Sequence, residues 1–120
     1  MENVKIHWYL AVDNDITADF ETNARQKGHR IYFSDEEGFR YIVDYDTNAI
    51  YVERNGLTST KLRLINHQSS EGSFQSHQLT FTFQILTTEM TISDRCLKAE
   101  YQMMDQQTVT SRHRLVLEWI

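Results

Sequence analysis

The sequence predicts an all-β fold, a single antiparallel up-and-down barrel of about 8–10 strands spanning residues 1–120. Three observations point there. Apolar and polar residues alternate with a period of two along nearly the whole chain, the spacing of a half-buried strand. Proline is absent, and the four glycines, Gly28, Gly38, Gly56 and Gly72, all fall between period-two segments, where turns need them. No segment carries an apolar stripe at helical spacing.

The elements follow in order. Val4, Ile6, Trp8, Leu10 and Val12 alternate with polar or small residues, and the pattern resumes after "DND" with Ile16, Ala18 and Phe20. "ETNARQKG" (21–28) has the composition for a helical turn or two, without an apolar face. Short strands follow at "RIYFS", "FRYIVDY", "AIYVE" and "TSTKLRLI". "LTFTFQIL" sets Leu79, Phe81, Phe83 and Ile85 on one face, and "EMTIS" and "CLKAEYQM" come next. The last strand, "TVTSRHRLVLEWI", holds His113, Leu115, Leu117 and Trp119 in phase. Short connections favour antiparallel neighbours. Closure of such a sheet removes its exposed edges. A barrel of this size fills itself with side chains or holds one small ligand.

The hairpin "YVERNGLTSTKLRL" (51–64) carries the strongest turn signal, Asn55-Gly56. A two-residue loop would pair Arg54 with Leu57 and set Ile50 beside Lys61. A three-residue loop, Arg54-Asn55-Gly56, pairs Glu53 with Leu57 and places Ile50 and Val52 on the face of Leu62 and Leu64. The hydrophobic pattern sets register, so the sequence favours the second, with Gly56 left-handed in a bulge. Arg54 then sits in the loop and leans over the barrel mouth.

Composition narrows the function classes. One cysteine, Cys96, excludes an internal disulfide and a cysteine-rich metal site, and a reducing cytoplasm is the expected setting. Alternation places Cys96 outside the core with Lys98 and Glu100. The formal net charge is −5. Residues 1–60 hold 6 basic and 11 acidic residues, and residues 61–120 hold 6 of each. Without a Lys/Arg block, nucleic acid and anionic membrane are not expected partners. The N-terminus reads as a first strand, not a signal peptide.

Motif searches return little catalytic chemistry. Calcium loops starting at Asp13 or Asp44 fail, with Ala18 and Ala49 where glycine is required and Ala24 and Asn55 where glutamate is. In "SDEEG", alternation turns Glu36 away from Asp35 and Glu37, so the three carboxylates do not converge and Glu36 alone could point into the mouth. The five histidines, His7, His29, His67, His77 and His113, form no local ligand pair. Only His113 shares the inward phase, near the strand with Tyr101. No G-x-S-x-G, P-loop or G-x-G-x-x-G occurs. No metal, cofactor or enzymatic activity is expected.

The order of "RNG" (54–56), "EGSFQSHQLTFTFQILTTEM" (71–90), "LKAEYQM" (97–103) and "SRHRLVLEW" (111–119) resembles the YwiB-like family of bacterial proteins, a domain-of-unknown-function family. The matching positions are Arg54 and Gly56, Gly72 and Phe74, Thr87 and Thr88, Leu97 and Tyr101, and His113. The chain departs from the pattern at Ser34-Asp35, where an aromatic would precede the acid, and at Phe74, where tyrosine is usual. The resemblance implies a calycin-like, lipocalin-like barrel and implies no activity.

Two functional expectations follow. The first is a cytosolic, non-enzymatic barrel that binds a small, partly apolar, anionic molecule in its mouth or lumen. Arg54, Tyr101, His113 and Glu36 would supply its polar contacts, Arg54 meeting an anionic head group. The second is a protein-interaction module or homodimer with a filled interior, in which the outward side chains His7 and Tyr9 of the first strand form part of a patch.

Overall fold

A computed structural model describes all 120 residues. Its strands are β1 (Glu2–Val12), β2 (Asp15–Lys27), β3 (Arg30–Ser34), β4 (Arg40–Tyr45), β5 (Ala49–Asn55), β6 (Thr58–Ile65), β7 (Ser69–Ser76), β8 (Leu79–Ser93), β9 (Cys96–Asp105) and β10 (Thr108–Trp119). Each strand pairs antiparallel with its neighbours in sequence, and β1 also pairs with β10, so the sheet closes. The result is an all-β, ten-stranded up-and-down barrel.

Alternation puts one face of every strand inside. Ile31, Val43, Ile50, Leu64, Ile85, Leu97, Leu115 and Leu117 have no exposed surface. They belong to one cluster of 18 buried residues. Each such side chain contributes about 1.5–3 kcal/mol by leaving water, so the middle of the barrel is a packed core. Gly72 is part of that packing. A Cβ there would lie 2.4 Å from the Phe83 ring, so β7 keeps a glycine where the β8 aromatic crosses it.

Several local expectations change. Residues 21–27 are the continuation of β2, held by β1 through pairs such as Thr22–Ile6 and Ala24–Val4, and Gly28 is in the turn that follows, so tertiary pairing overrides the segment's weak helical composition. "LTFTFQIL" and "EMTIS" are one strand, β8, with a register shift between Thr87 and Glu89. β7 has almost no apolar alternation and is held between β6 and β8. The β5–β6 register differs from both registers that the Asn55-Gly56 signal allows. Val52 pairs with Leu62, Ile50 with Leu64, and Arg54 with Thr60. The apolar faces match as expected, but the turn lies further along, at Gly56-Leu57, and the Gly56 N–H donates to the Thr58 carbonyl (2.9 Å). Arg54 is therefore a strand residue. Gly56 lacks positive φ. It is small because a Cβ would fall 2.6 Å from the Phe39 ring.

One stretch of wall is incomplete. β2 pairs with β1 from Glu2–Gln26 to Val12–Asp15. It pairs with β3 only through Arg25–Tyr32, Gln26–Ile31 and Lys27–Arg30. Beyond Arg25 the two strands part. Side chains bridge the split instead: the Phe20 ring packs 6.2 Å from Phe33 and 6.1 Å from Tyr41, centroid to centroid. Trp8 closes on the same pair from β1.

Candidate functional site

Three groups of polar side chains stand out against this frame. The first surrounds Arg54. Register sets it beside Tyr41 on β4. Its Nε donates to the Tyr41 hydroxyl (2.9 Å), which donates to Asp35 Oδ2 (3.0 Å). The guanidinium lies 3.8 Å from the same carboxylate oxygen and 3.6 Å above the Phe39 ring centroid, within cation–π range. Asp35 Oδ1 accepts the backbone N–H groups of Glu37 (2.9 Å) and Phe39 (3.0 Å). One carboxylate thus pins the β3–β4 turn and the arginine together. Burial, more than any neighbour, raises the Tyr41 pKa; Asp35 adds to the rise and Arg54 opposes it. Glu36, the acid singled out from the sequence, is exposed on that turn. The turn selects Asp35 because the shorter side chain reaches its own backbone two residues on.

The second group lies along one register row, Thr87 on β8, Tyr101 on β9 and His113 on β10. The His113 ring stacks on Tyr101 with centroids 4.8 Å apart and planes 16° from parallel. Its Nε2 lies 2.7 Å from Ser111 Oγ. Burial lowers the His113 pKa, opposed by the Asp13 charge. Tyr101 is 2% exposed, and burial alone raises its pKa. Thr87 is fully buried, and its Oγ1 has no hydrogen-bond partner. Thr87 was visible in the sequence only as a family position. The barrel's three register shifts, Leu10/Ala11, Thr87/Glu89 and Val109/Ser111, all border this row. Bulges of this kind re-aim side chains. The structure brings Tyr101 and His113 together, while Arg54 belongs to a separate cluster and Glu36 to neither.

The third group has no counterpart in the sequence reading. A groove of about 1200 Å³ opens on the wall where β2 and β3 part. Lys5, Arg25 and Arg40 line it, with Tyr32, Phe33 and Tyr41 among its aromatic surfaces. None of its 15 lining residues is an aspartate or glutamate, although the chain as a whole carries −5. None of the three cations takes part in the protein's ion pairs, which join His7 to Asp19, Arg30 to Asp44 and Arg54 to Asp35. The cations are 20 and 15 positions apart in sequence, and pairings such as Lys5–Asn23, Arg25–Tyr32 and Ser34–Arg40 gather them on one outer surface. No group of three or more His, Cys, Asp or Glu side chains is arranged to hold a metal ion.

Comparison with known proteins agrees with this architecture. No curated protein matches the chain. The crystal structure of the ywiB protein from Bacillus subtilis superposes with a TM-score of 0.73 at 15% identity, over 98% of this chain and 89% of that one. At that identity the likeness is one of fold. The model of a family described as a domain of unknown function, DUF1934, matches residues 5–117. The chain belongs to this YwiB-like DUF1934 family.

Proposed function

We propose that the protein is a non-enzymatic binding protein for a small, partly apolar anion, and that the ligand lies in the wall groove between β2 and β3. The observation that carries this reading is the charge contrast: three unpaired cations and no carboxylate side chain around aromatic surface, on an acidic chain. Such a lining suits a ligand with an apolar body and one anionic end. The packed core argues against the lumen, and Arg54 is already committed to Asp35, Tyr41 and Phe39. One hydroxyl sits beside an imidazole, Ser111 Oγ 2.7 Å from His113 Nε2, and no carboxylate hydrogen-bonds that histidine to orient it as a base.

Titration with an aryl sulfonate dye that brightens in apolar surroundings, followed by competition with medium-chain carboxylates, tests the reading. Binding that weakens in the Arg25→Gln/Arg40→Gln variant is the expected result. No binding, or binding indifferent to that variant, overturns it.

The second reading, a protein-interaction module or homodimer, rests on a different feature. Leu57, Leu79 and Phe81 are 97%, 63% and 55% exposed, and the Thr58–Ser76 and Ser76–Leu79 pairs bring their two turns together. An apolar patch at a barrel end suits a partner. Light scattering of the wild type and a Leu57→Ser/Phe81→Ser variant decides it: a dimer lost on substitution supports the reading, and a monomer throughout removes the homodimer.

A further inference from the structure

The split in the wall leaves β2 with an unpaired backbone edge. From Asp15 to Ala24 the strand is bonded to β1 on one side and to no strand on the other. Such an edge presents a row of free N–H and C=O groups, a template for another strand. Proteins usually blunt such edges with lysine or proline. Residues 15–24 contain neither, and they are Asp15, Ile16, Thr17, Ala18, Asp19, Phe20, Glu21, Thr22, Asn23 and Ala24. Ile16 is 61% exposed, and Ala18 and Phe20 are only half-buried.

The side chains indicate what would pair there. Asp19 and Glu21 oppose Tyr9 and His7 on the outer face, and the stretch holds three acids and no base. His7 hydrogen-bonds Asp19 and leaves Glu21 and Asp15 without an ion-pair partner. A second copy of β2 fits badly. A two-fold antiparallel pairing centred between residues 19 and 21 sets Asp19 against Asp19, Asp19 against Glu21, or Glu21 against Glu21. Like charges directly opposite one another destabilise a sheet. An extended segment with Lys or Arg on its outer phase and apolar residues on its inner phase meets both requirements: backbone pairing along the edge, and opposite charge across it.

We propose that the β2 edge is a docking surface for an extended basic-apolar strand of a protein partner, added antiparallel beside Asp15–Asn23. This surface borders the cationic groove, which shares Thr22 and Asn23 with it and takes the opposite charge.

Three short capped peptides test it on the full chain: one alternating lysine and valine, one alternating glutamate and valine, and one alternating lysine and proline. Hydrogen exchange of residues 15–24 is read with each. The lysine–valine peptide is expected to slow exchange on β2, and the other two are expected to leave it unchanged. An Asp19→Asn/Glu21→Gln variant, which keeps both side-chain shapes, is expected to weaken the lysine–valine peptide about fivefold. Equal binding of the lysine–proline peptide would reduce the effect to charge alone and overturn strand addition. Protection mapped elsewhere on the barrel overturns it too, as does a dimer in which these amides are already protected without peptide.

Discussion

The Arg54 cluster and the Tyr101–His113 row are both polar groups set into an apolar barrel, and they are finished to different degrees. Around Arg54 every strong group has a partner: the guanidinium has Tyr41, Asp35 and the Phe39 face, and Asp35 has two backbone N–H groups besides. Around Tyr101 the bonding is sparse. His113 has Ser111, while Thr87 Oγ1 has no partner inside the protein. A satisfied buried network rigidifies the structure around it, and an unsatisfied one costs stability. The first cluster is thus a clasp between β3, β4 and β5. The second is a place where the fold gives up stability, bordered by all three bulges.

The largest effect should come from cutting the clasp. Asp35→Ala removes the acceptor of the Glu37 and Phe39 amides and of the Tyr41 hydroxyl, and leaves Arg54 without its carboxylate. The expected loss is about 3 kcal/mol, between that of a buried hydrogen bond and that of a broken buried pair. Urea denaturation measures it, and Glu36→Ala beside it should change little, since Glu36 is exposed. A smaller loss, about 2 kcal/mol, is expected for Gly56→Ala. The new Cβ would strike the Phe39 ring that supports the guanidinium, the cost of overpacking. A neutral Gly56→Ala would mean that Phe39 moves aside freely and that the stacking contact contributes little.

These residues also show what sequence could and could not convey. Period-two alternation was enough for the fold class, because one buried face per strand leaves a direct trace. It was also enough to join Ile50 and Val52 to the face of Leu62 and Leu64. It could not locate the turn, since both registers considered were anchored on the Asn55-Gly56 signal, and the chain turns one step later. Glycine at 56 answers a contact with Phe39, which is 17 positions away and leaves no local mark. β7 escaped notice because its neighbours hold it in place and its own pattern does not. Tyr101 and His113 were readable as a pair from phase alone. The clasp acid was not, because the bonds of Asp35 to the Glu37 and Phe39 amides and to the Tyr41 hydroxyl depend on the fold of the turn, which alternation does not describe. The groove was hidden most completely, since Lys5, Arg25 and Arg40 all fall in the half of the chain with excess acid.

The row around Tyr101 should respond in the opposite direction to the clasp. Thr87→Val keeps the side-chain shape and removes a hydroxyl that has no partner. Stability should rise by about 1 kcal/mol, the cost of burying an unpaired polar group. A loss of that size in the same denaturation experiment would show that the hydroxyl is bonded in solution, and the contrast with Asp35 would shrink to a difference of degree.

The smallest effect separates the sparsely bonded His113 from the hydrogen-bonded His7 by pH. His113 has a folded pKa lowered chiefly by burial. Between its folded pKa and the ordinary value near 6.5 the unfolded chain binds more protons, so stability falls as pH drops through that window. His7 runs the other way. Its hydrogen bond to Asp19 is the main cause of a raised pKa, so its contribution is fully present below about 6.5 and is lost as pH rises through the folded value. The two slopes oppose each other in the wild type. Replacing His113 by Gln should leave the His7 slope, with stability rising as the solution is acidified from pH 7 towards 6. Replacing His7 by Gln should leave the His113 slope, with stability falling over the same range and below it. Thermal melts of the two variants across that range read the sign directly. A flat profile in the His7→Gln variant would mean that His113 is as well solvated as a surface histidine, and that the sparse bonding around Tyr101 does not extend to its neighbour.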